Sequence, residues 1–281
     1  MTVYDWQDDA KGCYDLAIAK KREAWLVENI PGVKRARVIG DCELLQGDCL
    51  EITPNIGKVD AVVADPPYQL SDSGPGASHF GMSLSKFDGD RYKAIVSGVD
   101  YPALFARFDQ IQSPPNGFVF CSNRQVSKLM AECEGRSLAT TLLVWHKTNA
   151  APFANGVWRG DIEYIVHFRG KGATFNGGAC DKTKVLPHPI VQDDAHPTVK
   201  PQPIIQRLIR NCSDLGQTVL DPFMGSGTTL VACAKLGRRG IGIELDPDYF
   251  DIACKRVEEA YRQPDLFVQR PEAPKQEAMD L

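Results

Sequence analysis

Short apolar runs recur along this chain and alternate with stretches of helical period, a pattern that few folds can accommodate. The runs lie at 43–45, 59–64 (VDAVVA), 117–121 (GFVFC), 140–145 (TTLLVW), 162–168 (IEYIVHF), 218–220 and 240–244. Helical spacing falls between them at 101–111, 124–133, 202–212, 228–236 and 249–261. Near-continuously apolar strands joined by helices are buried on both faces, so the expectation is an α/β protein with a doubly wound, mostly parallel sheet. A further helix, with Leu16, Ala19, Trp25 and Leu26 on one side, is predicted at 15–28 and stops at the Ile-Pro-Gly of 30–32. Residues 169–195 interrupt the rhythm with Gly-Lys-Gly, Asn-Gly-Gly and Leu-Pro-His-Pro, and are read as an irregular insert. The Pro-, Glu- and Gln-rich end is expected to be disordered. The expected organisation is therefore a helical leader (1–40), two halves of one α/β domain (41–168 and 196–262), the insert (169–195) between them, and a tail (263–281).

Several classes are excluded by what the chain lacks. No run approaches the ~18 apolar residues of a membrane span, and the start, MTVYDWQDDAKG, carries acids where a secretory signal carries bases. Nine cysteines without a C-x-x-C argue against a disulfide scaffold and a zinc site, so reduced thiols in a cytoplasm are expected. The five histidines show no metal spacing, no metal is expected, and His167, on an apolar strand, is read as a satisfied core residue. The net charge of -4 conceals a basic middle segment, 140–210, between acidic flanks. That segment suits a polyanion or, equally, a solvated loop region.

The first chemical signal is VLDPFMGSGTT at 219–229, a strand running through a glycine turn into a helix. Gly225 and Gly227 let the backbone approach a ligand, and the helix offers free amides at its start. The third glycine of a dinucleotide fingerprint is replaced by Leu230, which disfavours a plain NAD site. Glu244 ends the next strand, where an acid in such folds grips ribose hydroxyls. With Asp221 opening the turn, these features indicate a nucleoside cofactor whose tail need not be a pyrophosphate.

The second signal is Asp65-Pro66-Pro67-Tyr68 at the end of a buried strand. Two prolines stiffen the backbone and deny it donors, leaving the Pro66 carbonyl as an acceptor beside the Asp65 carboxylate. Tyr68 adds a stacking ring. A planar amine held by two acceptors and stacked on an aromatic suits this arrangement.

Together the two motifs resemble those of the amino-group DNA methyltransferases that use S-adenosylmethionine. The order here is the Asp65 motif, a basic insert, HPTVKP at 196–201, and the glycine motif last, which is similar to the circularly permuted beta class of that family. The resemblance covers roughly residues 40 to 262. It implies a seven-stranded Rossmann-like sheet, S-adenosylmethionine as cofactor, and a restriction-modification setting. It implies that Asp65 and Pro66 hydrogen-bond the target amine and Tyr68 stacks on a flipped base. Phe223 and Gly225 are then expected to line the cofactor, Glu244 to bind its ribose, and Asp48 to meet its adenine. Thr198 and Lys200 match the motif flanking the methionine end, although 196–201 also reads simply as the start of a helix.

An exocyclic amine is a poor nucleophile because its lone pair is delocalised into the ring. Two acceptors on its N–H bonds draw that pair back and stabilise the charge that grows on nitrogen. The expected partner is double-stranded DNA with the target nucleotide turned out of the helix. Arg159, Arg169, Lys171, Lys182 and Lys184 are the expected DNA-binding residues, as phosphate clamps or base readers that sequence cannot separate. Residues 71–90, rich in glycine and serine, read as a linker or a loop that closes over the base. In the family resembled, an aspartate opening the motif is commonest in adenine enzymes and a serine in cytosine enzymes, so the 6-amino group of adenine is expected. The rivals are a cytosine 4-amino enzyme, an RNA or protein-glutamine methyltransferase, and a catalytically silent nucleic-acid-binding module. Oligomeric state is not legible, and a homodimer stays open beside a monomer.

Overall fold

The computed structural model describes residues 16–67, 98–152, 158–191 and 199–262. The helices are α1 (Leu16–Asn29), α2 (Cys49–Ile52), α3 (Tyr101–Ile111), α4 (Val126–Gly135), α5 (Gln202–Cys212), α6 (Thr228–Leu236) and α7 (Pro247–Arg262). The strands are β1 (Arg35–Ile39), β2 (Cys42–Gln46), β3 (Ala61–Ala64), β4 (Asn116–Cys121), β5 (Ala139–Lys147), β6 (Ile162–Arg169), β7 (Val185–His188), β8 (Thr218–Asp221) and β9 (Arg239–Glu244).

All nine join one sheet in the order β1-β2-β9-β8-β3-β4-β6-β5-β7. Every pair is parallel except those that β1 makes with β2 and β6 makes with β4 and β5. The expected count of seven strands is corrected to nine among the described residues: β1 and β7 extend a seven-stranded body, one at each edge. Both escape a hydrophobicity reading for a physical reason. In β1 two arginines alternate with Ala36 and Val38, and the arginines bridge to helices, Arg35 to Asp251 at 2.5 Å and Arg37 to Glu258 at 2.7 Å. In β7 Pro187 removes a ladder donor, which only an edge strand tolerates. The segment 1–40 thus holds a strand as well as a helix, and 169–195 holds β7 rather than only irregular chain. The tail at 263–281 lies outside the described residues.

Alternation along the strands builds two cores. Ala61, Val63, Phe118 and Phe120 pack with α5, α6 and α7, while Val62, Ala64, Val119 and Cys121 pack with α1, α3 and α4. Phe105 of α3 lies 5.4 Å from Phe108 and 5.0 Å, edge-on, from Phe168 of β6. Such pairs add ~0.5–1.5 kcal/mol each beyond burial and seat α3 against β6. Chain from β8 runs outward through α6 to β9, whereas chain from β3 runs the opposite way through α3 to β4. The two directions part between β8 and β3, so the carboxyl ends of these neighbours flank the crevice where doubly wound sheets bind ligands.

Candidate active site

Both motifs arrive at that crevice because each sits where a parallel strand ends. Asp65 follows the last residue of β3, Asp221 ends β8 and Glu244 ends β9. Between β8 and α6 the chain turns through Gly225 at φ 50° and Gly227 at φ 81°, backbone angles that L side chains rarely adopt. A Cβ on Gly227 would stand 2.9 Å from that of Ala253, so α7 packs directly on the turn. Glu244 braces it from the other side: Oε2 accepts the Gly225 N–H at 2.9 Å and Oε1 the Asp246 N–H at 2.8 Å. Asp221 accepts the Phe223 N–H at 3.0 Å and is hydrogen-bonded to the Thr229 side chain. From α7, Arg256 donates to the Ser226 carbonyl at 2.7 Å.

Burial raises the carboxyl groups of Asp221 and Glu244 to about 7 each, against the lowering effect of the bonds they accept. Asp221 is spent on the turn itself. Glu244 is half-exposed at the crevice and its oxygens can accept further donors, as a pair of ribose hydroxyls would provide. Asp48, expected near a cofactor's adenine, is exposed after β2 and caps α2 by accepting the Leu50 N–H at 2.7 Å. Phe223 is half-buried beside the turn.

Around Asp65 the structure assembles a chain of alternating charge that sequence reading missed. Lys200, just ahead of α5, places Nζ 2.6 Å from Asp65 Oδ2 and 3.0 Å from Glu163 Oε1. Lys147 reaches the other oxygen of Glu163 at 3.0 Å. Burial alone would pull the Lys200 ammonium toward neutrality, and the Asp65 and Glu163 carboxylates overcome this and hold it above the ordinary lysine value. Lys200, expected at the cofactor's methionine end, is thus engaged with Asp65. The one signal for Glu163 is an acid inside the apolar run IEYIVHF. For Lys147 there is none, because only the pairing of β5 with β6 brings it to Glu163. Gln125 ties down the proline segment, donating to the Pro67 carbonyl at 3.5 Å while its own oxygen accepts from Ser122.

The basic residues do not converge. Arg159 precedes β6 and donates to the Ala150 carbonyl at 2.9 Å, on the same edge of the sheet as Asp65. Because β6 is antiparallel, Arg169 at its far end lies opposite Asn116 and Ala139, the first residues of β4 and β5. Arg169 lies six residue steps along the strand from Glu163, roughly 20 Å. Arg169 and Lys182 each cover Phe175 at 4.4 Å on that far edge, and Lys171 follows Arg169 there. Lys184 flanks the edge strand β7, its carbonyl accepting from Val144. Tyr68, Thr198 and residues 71–90 lie outside the described residues. His167 is buried and stacks on Phe118 at 4.3 Å, a core residue as expected, although among the described residues its Nε2 meets no hydrogen-bond partner.

Comparison with known proteins follows the same lines. The profile of the N6_N4_Mtase family, described as DNA methylase, matches residues 59–255. Type II methyltransferase M2.DpnII of Streptococcus pneumoniae is 32% identical over 224 residues, 71% of this chain and 82% of the relative. Type II methyltransferase M.ScaI of Streptomyces caespitosus is 47% identical over 68 residues, 24% of this chain and 22% of its own length. The structure of an M1.HpyAVI-SAM complex superposes with a TM-score of 0.58 at 27% identity, covering 76% of this chain and 99% of that one. The cytosine-N4-specific PvuII DNA methyltransferase shares the fold, with a TM-score of 0.62 at 14% identity over 80% of this chain and 93% of its own.

Proposed function

The chain belongs to the DNA methylase family whose profile spans residues 59–255, and from that premise we propose that it methylates the 6-amino group of a flipped adenine in double-stranded DNA. The observation that carries the reading is the approach of the Asp65 motif and the glycine turn across the β3/β8 crevice, close enough for the Asp65 charge to act on Asp221. S-adenosylmethionine is the methyl donor. Its fit is supported by the glycine turn at the head of α6 and by the partly buried Glu244 carboxylate, whose raised pKa hydroxyl donors would relieve. Phe223, Gly225 and Glu244 would hold it, with Asp48 near its base. When bound it supplies an electrophilic methyl on a sulfonium.

The protein's own residues do the rest. Asp65 and the Pro66 carbonyl accept the two N–H bonds of the target amine, return its lone pair to nitrogen and stabilise the charge that develops there. Tyr68 stacks on the base, and this contact offsets the few kcal/mol needed to unstack it. Holding amine and methyl in line supplies much of the remaining rate. The order of motifs, Asp65 first and the glycine turn last, supports the beta class. DNA is contacted at the carboxyl edge, through the β5–β6 connection that carries Arg159 and the segment after β7.

Adenine rests on the aspartate that opens the motif. Expression in a host lacking such methylation, followed by nucleoside analysis of its DNA, tests this. The expected product is 6-methyladenine; 4-methylcytosine alone would overturn the base while sparing the role of Asp65.

A further inference from the structure

The ammonium of Lys200 sits between two carboxylates, Asp65 and Glu163, and all three belong to elements far apart in sequence. Lys200 and Glu163 side chains are each about 10% exposed, so their charges are largely withdrawn from water and depend on one another. A lysine bonded to Asp65 alone would neutralise the carboxylate that must accept from a neutral amine. A second carboxylate on the same ammonium divides that positive charge, and it fixes where the end of a flexible four-carbon stem can lie. Resting on the reading that Asp65 accepts the target amine, we infer that Glu163 is a positioning residue for methyl transfer: it anchors Lys200 so that the ammonium orients Asp65 and helps it discard a proton without quenching it as an acceptor.

The step balances. As the nitrogen–methyl bond forms and the sulfur–methyl bond breaks, the amine becomes cationic and one of its protons passes to Asp65. The adjacent Lys200 charge favours release of that proton to solvent, which restores the carboxylate for the next turnover. Other groups face Asp65 as well. Tyr101 of α3, Cys121 of β4 and Asp221 of β8 all feel its charge, and Lys147 of β5 bonds the far oxygen of Glu163. Neither Glu163 nor Lys147 belongs to the glycine turn, so their substitution separates this cluster from cofactor binding.

The test is single-turnover methylation of duplex DNA across pH with saturating cofactor, alongside calorimetry of cofactor binding. Glu163→Gln makes the cluster more positive. It is expected to slow transfer by roughly tenfold or more, to move the acid limb about one pH unit lower, and to leave the cofactor Kd within about twofold. Lys147→Met makes the cluster more negative and is expected to move the same limb higher. Opposite displacements are a signature that general loosening of the fold does not produce. Where Glu163→Gln fails to fold, the more exposed Lys147→Met decides alone: an upward shift supports the inference and an unmoved limb overturns it. Wild-type transfer that neither variant alters overturns the inference and spares the parent reading. Glu163→Gln losses that appear equally in the cofactor Kd would assign the cluster to cofactor binding and overturn it too. Absence of transfer by the wild type overturns both.

Discussion

Asp65 and Glu244 both end strands at one crevice, but the chemistry asks different things of them. Asp65 must accept from an amine, and its carboxylate is held by Lys200 at 2.6 Å. Asp65→Ala is expected to reduce transfer by about a hundredfold or more, the scale of losing one charge-stabilising partner, while calorimetry finds the cofactor still bound. A fall in cofactor affinity matching that of a Glu244 variant would remove the assignment. Glu244 must accept hydroxyls, each such bond to a charged group being worth ~1.5–3 kcal/mol, so Glu244→Ala should weaken cofactor binding at least roughly tenfold. Its raised pKa adds a pH signature. Protonation removes acceptor capacity, so affinity should be full above about 7 and fall as pH drops through that value. Because Glu244 also holds the Gly225 and Asp246 amides, a melting curve should accompany the binding measurement. The pairing of Lys200 with Asp65 was not legible. The motif carrying Lys200 reads locally as a helix start, and its partner lies 135 positions away.

At the scale of elements, the glycine turn is a local device and its cost is local. Gly227→Ala must place a Cβ 2.9 Å from Ala253 at a backbone angle of 81°. A loss of about 1–3 kcal/mol in urea denaturation is expected, the usual cost of forced backbone geometry. An unchanged midpoint would mean that α7 yields. The direction of β6 matters as much. Its antiparallel course puts Glu163 at the crevice and Arg169 at the opposite edge. Arg159→Ala should therefore lower the slope of log affinity against log salt by ~0.9 for one phosphate contact, whereas neutralising Arg169 and Lys182 together should leave it unmoved. A slope that responds only to the latter pair would relocate the DNA to the far edge. In the sequence these residues fall in one basic segment, 140–210, and a charge count carries no strand direction that would separate them.

Across the whole molecule, stability in acid is expected to depend on a histidine outside the catalytic cluster. Burial, and secondarily Arg169, lower the pKa of His167 from 6.5 to about 4. The folded state therefore excludes a proton that the unfolded chain binds, so this contribution is full above 6.5 and is lost as pH falls toward 4. The amount at stake is on the order of 3 kcal/mol. His167→Phe, which keeps a ring against Phe118, should flatten the decline of melting temperature between these values; an equal decline in both proteins would show that other groups dominate. The alternation of apolar runs and helices, the glycine turn and the Asp-Pro-Pro segment were determined by the sequence alone. Each depends on chain geometry within a few residues: φ at a glycine, a missing N–H at a proline, burial on both faces of a strand. Tertiary structure alone decided that Lys200 and Glu163 attend Asp65, that β1 and β7 close the sheet edges, and that the basic residues divide between two ends. Those outcomes depend on which strands neighbour each other and which way they run, and a pairing such as that of Lys200 with Asp65, 135 positions apart, leaves no local pattern to read.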